Sequence, residues 1–389
     1  MINNSKSLFE NAARILSVSC GVLFVLFSFL YLYKIQGEML AEAQFVFSKG
    51  VTTYSILIGA IVITLILSLL QLVVQLVAKI PTRWYSLSFF PSFLILTILT
   101  YINRNVFDDF TFGAWTWIVP VLLAVYILVI FWLKKIPESN SNKEHGNIYA
   151  LLWPNYLIFL AMCIATGSFQ GATDVYHYEL RTERLILDGK YEEALTVGKK
   201  SLSSSRRLTE LRAFAMAKNG QLGESLFEYP QYYGSAGLLD INDTLSHYRL
   251  SVQEICRSLG AYCGKSIKTT DEYLRLMIDS DTTSSQPLGD YYLCTLLLKK
   301  DLKTFASTLP EYYRNSDSLP KAYGEALLLL PDSCSSLKAM ADTTLISKYK
   351  KYNLLKSEYK NPIERINKAR RNFGKTYWWY YDFSDKVSR

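Results

Sequence analysis

Five long apolar stretches in the first 168 residues constrain this chain more than any other feature of its sequence. Each has 18 to 26 residues and contains no Asp, Glu, Lys, Arg or His; they cover residues 15–33, 53–78, 85–102, 114–133 and 149–168. A helix rises about 1.5 Å per residue, so about 20 apolar residues cross the hydrocarbon core of a bilayer. The sequence therefore predicts five transmembrane helices.

Charged residues are concentrated in the rest of the chain. Residues 1–168 contain 10 Lys or Arg and 7 Asp or Glu, whereas residues 169–389 contain 32 and 27. This division excludes a secreted mini-protein, a disordered protein and a single soluble enzyme domain. The five stretches contain no acidic or basic side chain, which argues against an ion-coupled transporter, because such proteins need charged groups near the middle of the bilayer.

The short loops between the apolar stretches indicate how the chain is oriented. With the N-terminus in the cytoplasm, seven Lys or Arg residues lie in cytoplasmic segments and three lie in outer loops. This bias agrees with the positive-inside rule. Five crossings from such a start place residues 169–389 outside the cytoplasm.

Residues 169–389 show the periodicity of successive α-helices. Apolar residues recur at steps of three and four, as in Leu208, Leu211, Phe214 and Ala215, which is the spacing of one helix face. Gly and Pro residues separate these runs, and short connections between helices are typical of helical repeats. We expect an all-α domain of stacked hairpins, with an irregular helical bundle as the alternative.

Two segments 31 residues apart share one pattern at the predicted hairpin turns, and its residues are Gly189, Tyr191 and Ala194 in the first segment and Gly220, Leu222 and Ser225 in the second. A Gly permits the tight turn, and a small residue lets two helices approach closely. A third and weaker copy begins at Lys300, which replaces the Gly, and has the bulky Phe305 at the small position.

This pattern resembles the tetratricopeptide repeat, whose helical hairpins turn at Gly-x-Tyr-x-x-Ala. The resemblance covers about half of the C-terminal region, and its period is shorter than the usual ~34 residues. It implies a solenoid with a groove for protein or peptide. We expect three parts, namely a five-span transmembrane domain at 1–168, a tetratricopeptide-like domain at 169–347, and a basic helix with an aromatic cap at 348–389.

The whole layout also resembles uncharacterised bacterial membrane-protein families, in which several spans precede a divergent helical-repeat domain. This resemblance concerns architecture and implies no catalytic residue. Together with the predicted orientation, it implies a multi-pass protein of the bacterial inner membrane. Its N-terminus is then cytoplasmic and its C-terminal domain periplasmic.

One late segment carries a local charge of +8, which equals the net charge of the whole chain. It contains two acids and ten basic residues: Lys348, Lys350, Lys351, Lys356, Lys360, Arg365, Lys368, Arg370, Arg371 and Lys375. Such clusters attract anionic lipid headgroups, and they suit an acidic glycan or partner equally well. A solvated terminal helix explains the same pattern. Nucleic acid is excluded as a partner by the predicted side of the membrane.

Aromatic residues follow this basic segment directly, as Tyr377, Trp378, Trp379, Tyr380, Tyr381 and Phe383. They are predicted to cap the last repeat, since the ends of a solenoid must be covered. A membrane interface and a ligand contact are the alternatives. Tyrosine pairs also occur at 232–233, 291–292 and 312–313. Aromatic side chains anchor many binding surfaces, but helical repeats bury tyrosine as well, and the sequence does not separate the two interpretations.

The four cysteines outside the predicted spans are compatible with disulfides in an oxidising compartment. Cys256 and Cys263 are seven residues apart, about 10.5 Å along an unbroken helix, so a bond between them requires a bend. Gly260 lies between them and supplies a position for that bend. The alternative is two buried thiols.

No motif for a metal, a cofactor, a phosphate-binding loop or a nucleophilic triad is present, so we predict no catalytic, cofactor-binding or metal-binding residue. We favour a membrane protein that presents a helical-repeat domain to a protein or peptide partner in envelope assembly or transport. A small transferase acting on lipid-linked glycan is the alternative, with its outer-face carboxylates at Asp108, Asp109, Glu38 or Glu42. A sensor whose spans transmit a binding event inward is a third possibility.

Overall fold

The computed structural model describes residues 2–101, 113–136, 148–169, 173–239, 249–260, 273–275, 286–313, 319–331 and 338–387. Within these ranges the chain is helical and contains no strand, so the predicted all-α class is confirmed for them. The chain divides into two compact units, Met1–His177 and Tyr178–Arg389. The finer domain boundaries at 168 and 347 stay predictions.

The first unit is a bundle of long apolar helices. Its described elements are α1 (Ile2–Leu30), a π-helical turn (Tyr31–Ile35), α2 (Gly37–Phe47), α3 (Ile56–Ala78), a 3-10 segment (Thr82–Phe89), α4 (Phe90–Thr100), α5 (Trp115–Lys135) and α6 (Ile148–Ser168). Aromatic side chains fill its interior, and Phe93 packs against both Phe24 and Phe159 with ring centroids 5.1 and 5.4 Å away.

Four helices of this unit, and not five, are long and apolar enough to cross a membrane among the described residues. They are Glu10–Ile35, Ile56–Ala78, Trp115–Lys135 and Leu151–Ser168. The predicted third span, 85–102, is wrong as a single helix, because the structure divides it between the 3-10 segment and the 11-residue α4.

Proline chemistry together with a tertiary contact explains this break. In a continuous helix the amide of residue 91 would donate to the carbonyl of Leu87, and Pro91 has no amide hydrogen. Instead, the Leu87 carbonyl accepts from the Phe90 amide and from the hydroxyl of Tyr126 at 3.1 Å. Counting apolar residues does not detect such a break, because each residue on both sides of Pro91 remains apolar or small.

Polar side chains join the broken segment to its neighbours inside the bundle. The Ser86 amide donates to Oδ1 of Asn155 at 2.9 Å, and the Gln71 amide group donates to Ser88 Oγ at 2.9 Å. Further along, Thr97 donates to Thr166 at 3.2 Å. Asn155 and Ser88 are fully buried, so these bonds satisfy groups that apolar surroundings would otherwise leave without partners.

The second unit consists of shorter helices. They are α7 (Asp174–Leu187), α8 (Tyr191–Thr196), α9 (Arg206–Lys218), α10 (Leu222–Ser225), α11 (Val252–Ser258), α12 (Gln286–Leu298), α13 (Leu302–Tyr312), α14 (Lys321–Leu327), α15 (Thr343–Glu358), α16 (Pro362–Phe373) and α17 (Tyr377–Val387). Helix α7 begins just before the unit boundary. The fully buried residues of the second unit include Leu211, Leu222 and Tyr323.

Three hairpin turns of this unit have the same geometry. Gly189, Gly220 and Lys300 have φ values of 73°, 66° and 62°. In each turn the amide of this residue donates to the carbonyl three residues earlier, and the amide of the next residue donates to the carbonyl five residues before it, at 2.8–3.0 Å. This is the Schellman arrangement that ends a helix at a left-handed residue. Lys300 therefore adopts the conformation of the Gly that it replaces.

The other repeat residues follow these turns in order. Ala194 and Leu222 are fully buried, whereas Tyr191 and Ser225 are half-buried. Phe305, at the third small position, is also fully buried and lies 5.6 Å from the Tyr323 ring, centroid to centroid. The helix after each turn also differs in length, from four residues in α10 to eleven in α13, so the three hairpins share a turn but not a common size.

Candidate functional site

The C-terminal aromatic segment forms α17 and packs into the core of the second unit. Tyr377 and Trp378 are fully buried, Tyr380 and Phe383 are nearly so, and Trp379 and Tyr381 are half-buried. The Phe227 ring lies 5.0 Å from Tyr377 and 5.2 Å from Tyr380. Most of this aromatic surface is therefore occupied by the protein itself.

Hydrogen bonds from tyrosine hydroxyls join α17 to the end of α12. Tyr377 donates to the carbonyl of Leu297 at 3.0 Å, and Tyr380 donates to that of Leu298 at 2.9 Å. The last carbonyls of a helix have no partner within the helix. These two hydroxyls supply partners for the final turn of α12, so the aromatic segment also completes a neighbouring helix.

Glu325 of α14 lies at the start of α17. Its Oε2 accepts from the Tyr377 amide at 2.6 Å, and its backbone carbonyl accepts from Nε1 of Trp378 at 2.7 Å. The residue is 1% exposed. Burial, partly offset by the bond from Tyr377, raises the pKa of the Glu325 carboxyl to about 7. A carboxyl that titrates near neutrality therefore holds the C-terminal helix.

The structure separates the ten basic residues of the late segment into two groups. Lys356 bonds Asp382 at 2.7 Å, and the cations of Lys368 and Arg370 each lie 5.7 Å from the ring centre of an aromatic residue, Tyr359 and Trp379 respectively. Arg365 is half-buried. The remaining members are exposed: Lys348, Lys350, Lys351, Lys360, Arg371 and Lys375. Anionic-surface binding by this segment stays a prediction.

The three tyrosine pairs have different surroundings. Tyr291 and Tyr292 are buried, and Tyr313 is buried while Tyr312 is half-buried. Tyr232 and Tyr233 are 39% and 40% exposed. Of the three pairs, only Tyr232 and Tyr233 therefore present both rings to solvent.

Tyr232, Tyr233 and Leu202 form a surface group that we call the tyrosine patch. The Tyr232 hydroxyl donates to the Leu202 carbonyl at 2.9 Å, and the Tyr233 hydroxyl donates to the Ser204 carbonyl at 3.1 Å. Leu202 itself is 62% exposed. Both rings are thus held by their hydroxyls beside an exposed leucine, which leaves an apolar surface with fixed side chains.

A buried residue anchors the loop that carries the patch. Tyr229 is 5% exposed, donates to the Leu195 carbonyl at 2.6 Å, and lies under the Arg212 guanidinium, 4.8 Å from its ring centre. An ion pair of 3.1 Å between Lys199 and Glu228 joins the same two loops at the surface. The two loops that carry the patch are therefore joined by the buried contacts of Tyr229 and by one ion pair at the surface.

The candidate carboxylates of the transferase hypothesis are not assembled by the described residues. Asp108 and Asp109 lie outside the described ranges, and Glu38 and Glu42 belong to α2, where Glu42 is 5% exposed. Within the described ranges no group of three or more His, Cys, Asp or Glu side chains could hold a metal ion. The transferase stays a prediction.

The disulfide prediction also stays open. Cys256 is fully buried in α11, and Cys263 lies outside the described residues. Gly260 has φ 81°, so the chain does turn between them in the left-handed manner that favours glycine.

Sequence reasoning overlooked Leu202 and Glu325. The signal for Leu202 is a single apolar residue among serines, in Ser201-Leu202-Ser203-Ser204, where a loop was the natural interpretation. The signal for Glu325 is one acid within the apolar run of α14. Neither signal identifies a partner, because the partners are 30 and 52 residues away along the chain.

Comparisons with known proteins identify a family but no activity. No curated protein and no solved structure matches the chain. The family of unknown function DUF6057 matches residues 104–263 and 262–384. These residues include most of the second unit together with α5 and α6 of the first, and they exceed half of the chain. The chain therefore belongs to the DUF6057 family.

Proposed function

We propose that this chain is an inner-membrane protein of bacteria whose second unit, a divergent tetratricopeptide-like domain in the periplasm, binds a protein or peptide during envelope assembly or transport. The tyrosine patch carries this proposal. Exposed aromatic side chains with restricted freedom are favoured anchors of protein interfaces, because little conformational entropy is lost when they bind.

The shared turns support the repeat-like character of the domain. Three hairpins end their first helix in the same left-handed conformation, at Gly189, Gly220 and Lys300. Helical hairpins of this kind stack and present loops along one edge. The patch belongs to the loops that follow α8 and α10, the second helices of the first two hairpins.

The periplasmic location requires an odd number of crossings, and the four full-length helices give an even number. The broken segment 82–100 supplies the fifth crossing in this proposal. Its support is that Ser86 bonds Asn155 near the start of α6 and Thr97 bonds Thr166 near its end. The segment therefore runs beside α6, in the same direction, from the first bond to the second. These bonds are 11 residues apart on α6, which is about 16 Å at 1.5 Å per residue.

A fusion at the C-terminus tests this topology. We expect alkaline phosphatase joined after Arg389 to be active and green fluorescent protein at the same position to be dark, because the phosphatase folds only in the periplasm. A matched pair of fusions after Gly50, in the first loop, should give the same result. An inactive phosphatase and a bright fluorescent fusion at the C-terminus would instead show four crossings.

Photo-crosslinking from the full chain in cells tests the patch. A photoreactive amino acid at position 232 and one at 233 should each yield the same adduct. The double variant Tyr232→Ala/Tyr233→Ala should then weaken binding of that partner at least about 30-fold, since an aromatic hot spot contributes about 2 kcal/mol or more.

The control for this experiment is Leu187→Ala, a change at another apolar residue of the second unit that is 47% exposed. Recovery of the partner should not change in this variant. Equal loss in both variants, or an adduct from position 187 and none from 232 or 233, would exclude the patch as the binding surface.

A further inference from the structure

Helices α15 and α16 form a hairpin whose tip combines exposed apolar side chains with positive charge. α15 ends at Glu358 and α16 begins at Pro362, so three residues connect them. Leu354 is 68% exposed and Ile363 is 71% exposed, one on each side of this connection. Two well exposed aliphatic side chains therefore flank a single short turn.

Basic residues lie close in sequence to both apolar side chains. Lys350 and Lys351 precede Leu354 by one helical turn and are exposed on α15. Residues one turn apart share a helix face, so Leu354 lies on the same face as these two lysines. Lys360 is exposed in the connection itself.

A groove lies along α16 next to the tip. Its volume is about 460 Å³, and its lining residues are Asn361, Ile363, Glu364, Asn367, Lys368 and Arg371. Lys368 and Arg371 bring two positive charges, Glu364 brings one negative charge, and the two asparagines bring amide donors. Guanidinium and ammonium groups beside amide donors suit a phosphate.

We propose that the tip of this hairpin docks on an anionic phospholipid bilayer, with Leu354 and Ile363 in the headgroup region and a lipid phosphate between Lys368 and Arg371. This pairing of apolar tip and basic flank is the pattern of helices that lie in a membrane interface. The inference rests on the proposed membrane anchoring of the chain and is independent of the tyrosine patch.

Chain continuity favours a bilayer over other anionic partners. Helix α6, which is long and apolar enough to span, ends at Ser168, and α7 begins at Asp174. The five residues between them extend over at most about 17 Å. The start of α7 therefore lies close to a bilayer surface in this proposal, and the hairpin, which belongs to the same chain, meets a high effective lipid concentration.

Hydrogen exchange of the full chain in lipid nanodiscs tests the proposal. One set of discs contains phosphatidylcholine alone and the other contains equal parts of phosphatidylcholine and phosphatidylglycerol. We expect amides at the start of α16 to exchange more slowly in the discs with phosphatidylglycerol. In Lys368→Gln/Arg371→Gln, docking should weaken about 30-fold, which corresponds to about 1 kcal/mol for each charge.

A matched double variant, Lys200→Gln/Lys303→Gln, removes the same charge from exposed positions outside the hairpin and should keep the protection. Leu354→Ser/Ile363→Ser should lose it although every charge remains. Exchange in α14 and α17, which lie outside the hairpin, reports whether each variant is folded, so a folding defect is recognised separately.

Equal exchange in both kinds of disc overturns the proposal, and so does protection that both charge variants lose alike. Protection by a soluble anionic polysaccharide in phosphatidylcholine discs, without protection by phosphatidylglycerol, assigns the site to a glycan and also overturns it. A chain that does not enter nanodiscs refutes the membrane anchoring instead. The tyrosine-patch variant, which should lose its protein partner, should still show protection of α16 in the discs with phosphatidylglycerol, so the two proposals fail separately.

Discussion

Replacing Arg207 by alanine is expected to destabilise the second unit by about 3–5 kcal/mol, because it removes the guanidinium that pairs with two buried carboxylates. Nη1 of Arg207 lies 2.8 Å from Glu210 Oε2, and Nη2 lies 2.8 Å from Glu183 Oε1. All three side chains are at most 3% exposed. Removing Arg207 therefore lowers the free energy of unfolding by more than removing an ordinary surface ion pair does.

The same guanidinium connects three segments of the chain. Glu183 belongs to α7, Arg207 and Glu210 belong to α9, and Arg207 also donates to the Leu250 carbonyl just before α11. Glu183 accepts from the Leu250 amide at 3.1 Å as well. Both α7 and the segment at Leu250 are therefore expected to loosen in the variant.

Unfolding of the detergent-solubilised full chain by urea gives the measurement, with hydrogen exchange in α7, α9 and α11 to localise the effect. Arg206→Ala is the matched control, because Arg206 is the exposed neighbour, and its cost should stay below about 1 kcal/mol. Adding Glu183→Gln and Glu210→Gln to Arg207→Met should recover part of the stability, since the three buried charges of this network are then removed together. No recovery, or a cost similar to that of Arg206→Ala, would contradict this explanation.

The stability of the second unit is expected to fall by about 3 kcal/mol between pH 4.5 and pH 7 through one residue, Glu325, because each pKa unit corresponds to about 1.4 kcal/mol. Burial raises the pKa of the Glu325 carboxyl from 4.5 to about 7. Below pH 4.5 the carboxyl is protonated in both states and contributes no difference. Between the two values the folded state holds the proton more tightly than the unfolded state, so unfolding becomes easier as the pH rises.

Neighbouring charges modify this titration. Lys321 and Lys348 lower the pKa of Glu325, whereas Glu224 raises it. The oxygen that accepts from the Tyr377 amide is kept in Glu325→Gln, which removes the charge but not the acceptor. The variant therefore isolates ionisation from the loss of the contact with α17.

Unfolding of both proteins at several pH values between 4.5 and 8 checks the prediction. We compare the free energy of unfolding of the glutamine variant with that of the natural chain. Over this pH range the difference should shift by about 3 kcal/mol in favour of the variant, and above it the difference should stay constant. Glu311→Gln serves as the control, because Glu311 is exposed and is not among the charges that shift the pKa of Glu325, and its curve should remain parallel to that of the natural chain. Parallel curves for Glu325→Gln would show that the carboxyl ionises without cost.

The helical class, and the division of the chain into an apolar part and a charged part, could be predicted from the sequence, because both follow from local patterns. An apolar stretch such as 56–78 is a complete helix in the structure, since every residue of it favours the same surroundings. The turns at Gly189 and Gly220 were visible for the same reason, as a left-handed position next to a helix end favours glycine. Lys300 was recognised only as a weak copy, although it adopts the same turn.

Tertiary structure decided which polar and aromatic residues are buried and which are displayed. Tyr232 and Tyr291 begin similar tyrosine pairs, yet one is at the surface and the other in the core, because burial depends on helices that are distant in sequence. Pro91 broke a predicted span for a comparable reason, since the Leu87 carbonyl found a partner in α5. Local periodicity determined the helices of this protein; contacts across tens of residues decided its broken span, its buried ion network, and the hairpin tip and tyrosine patch that remain exposed.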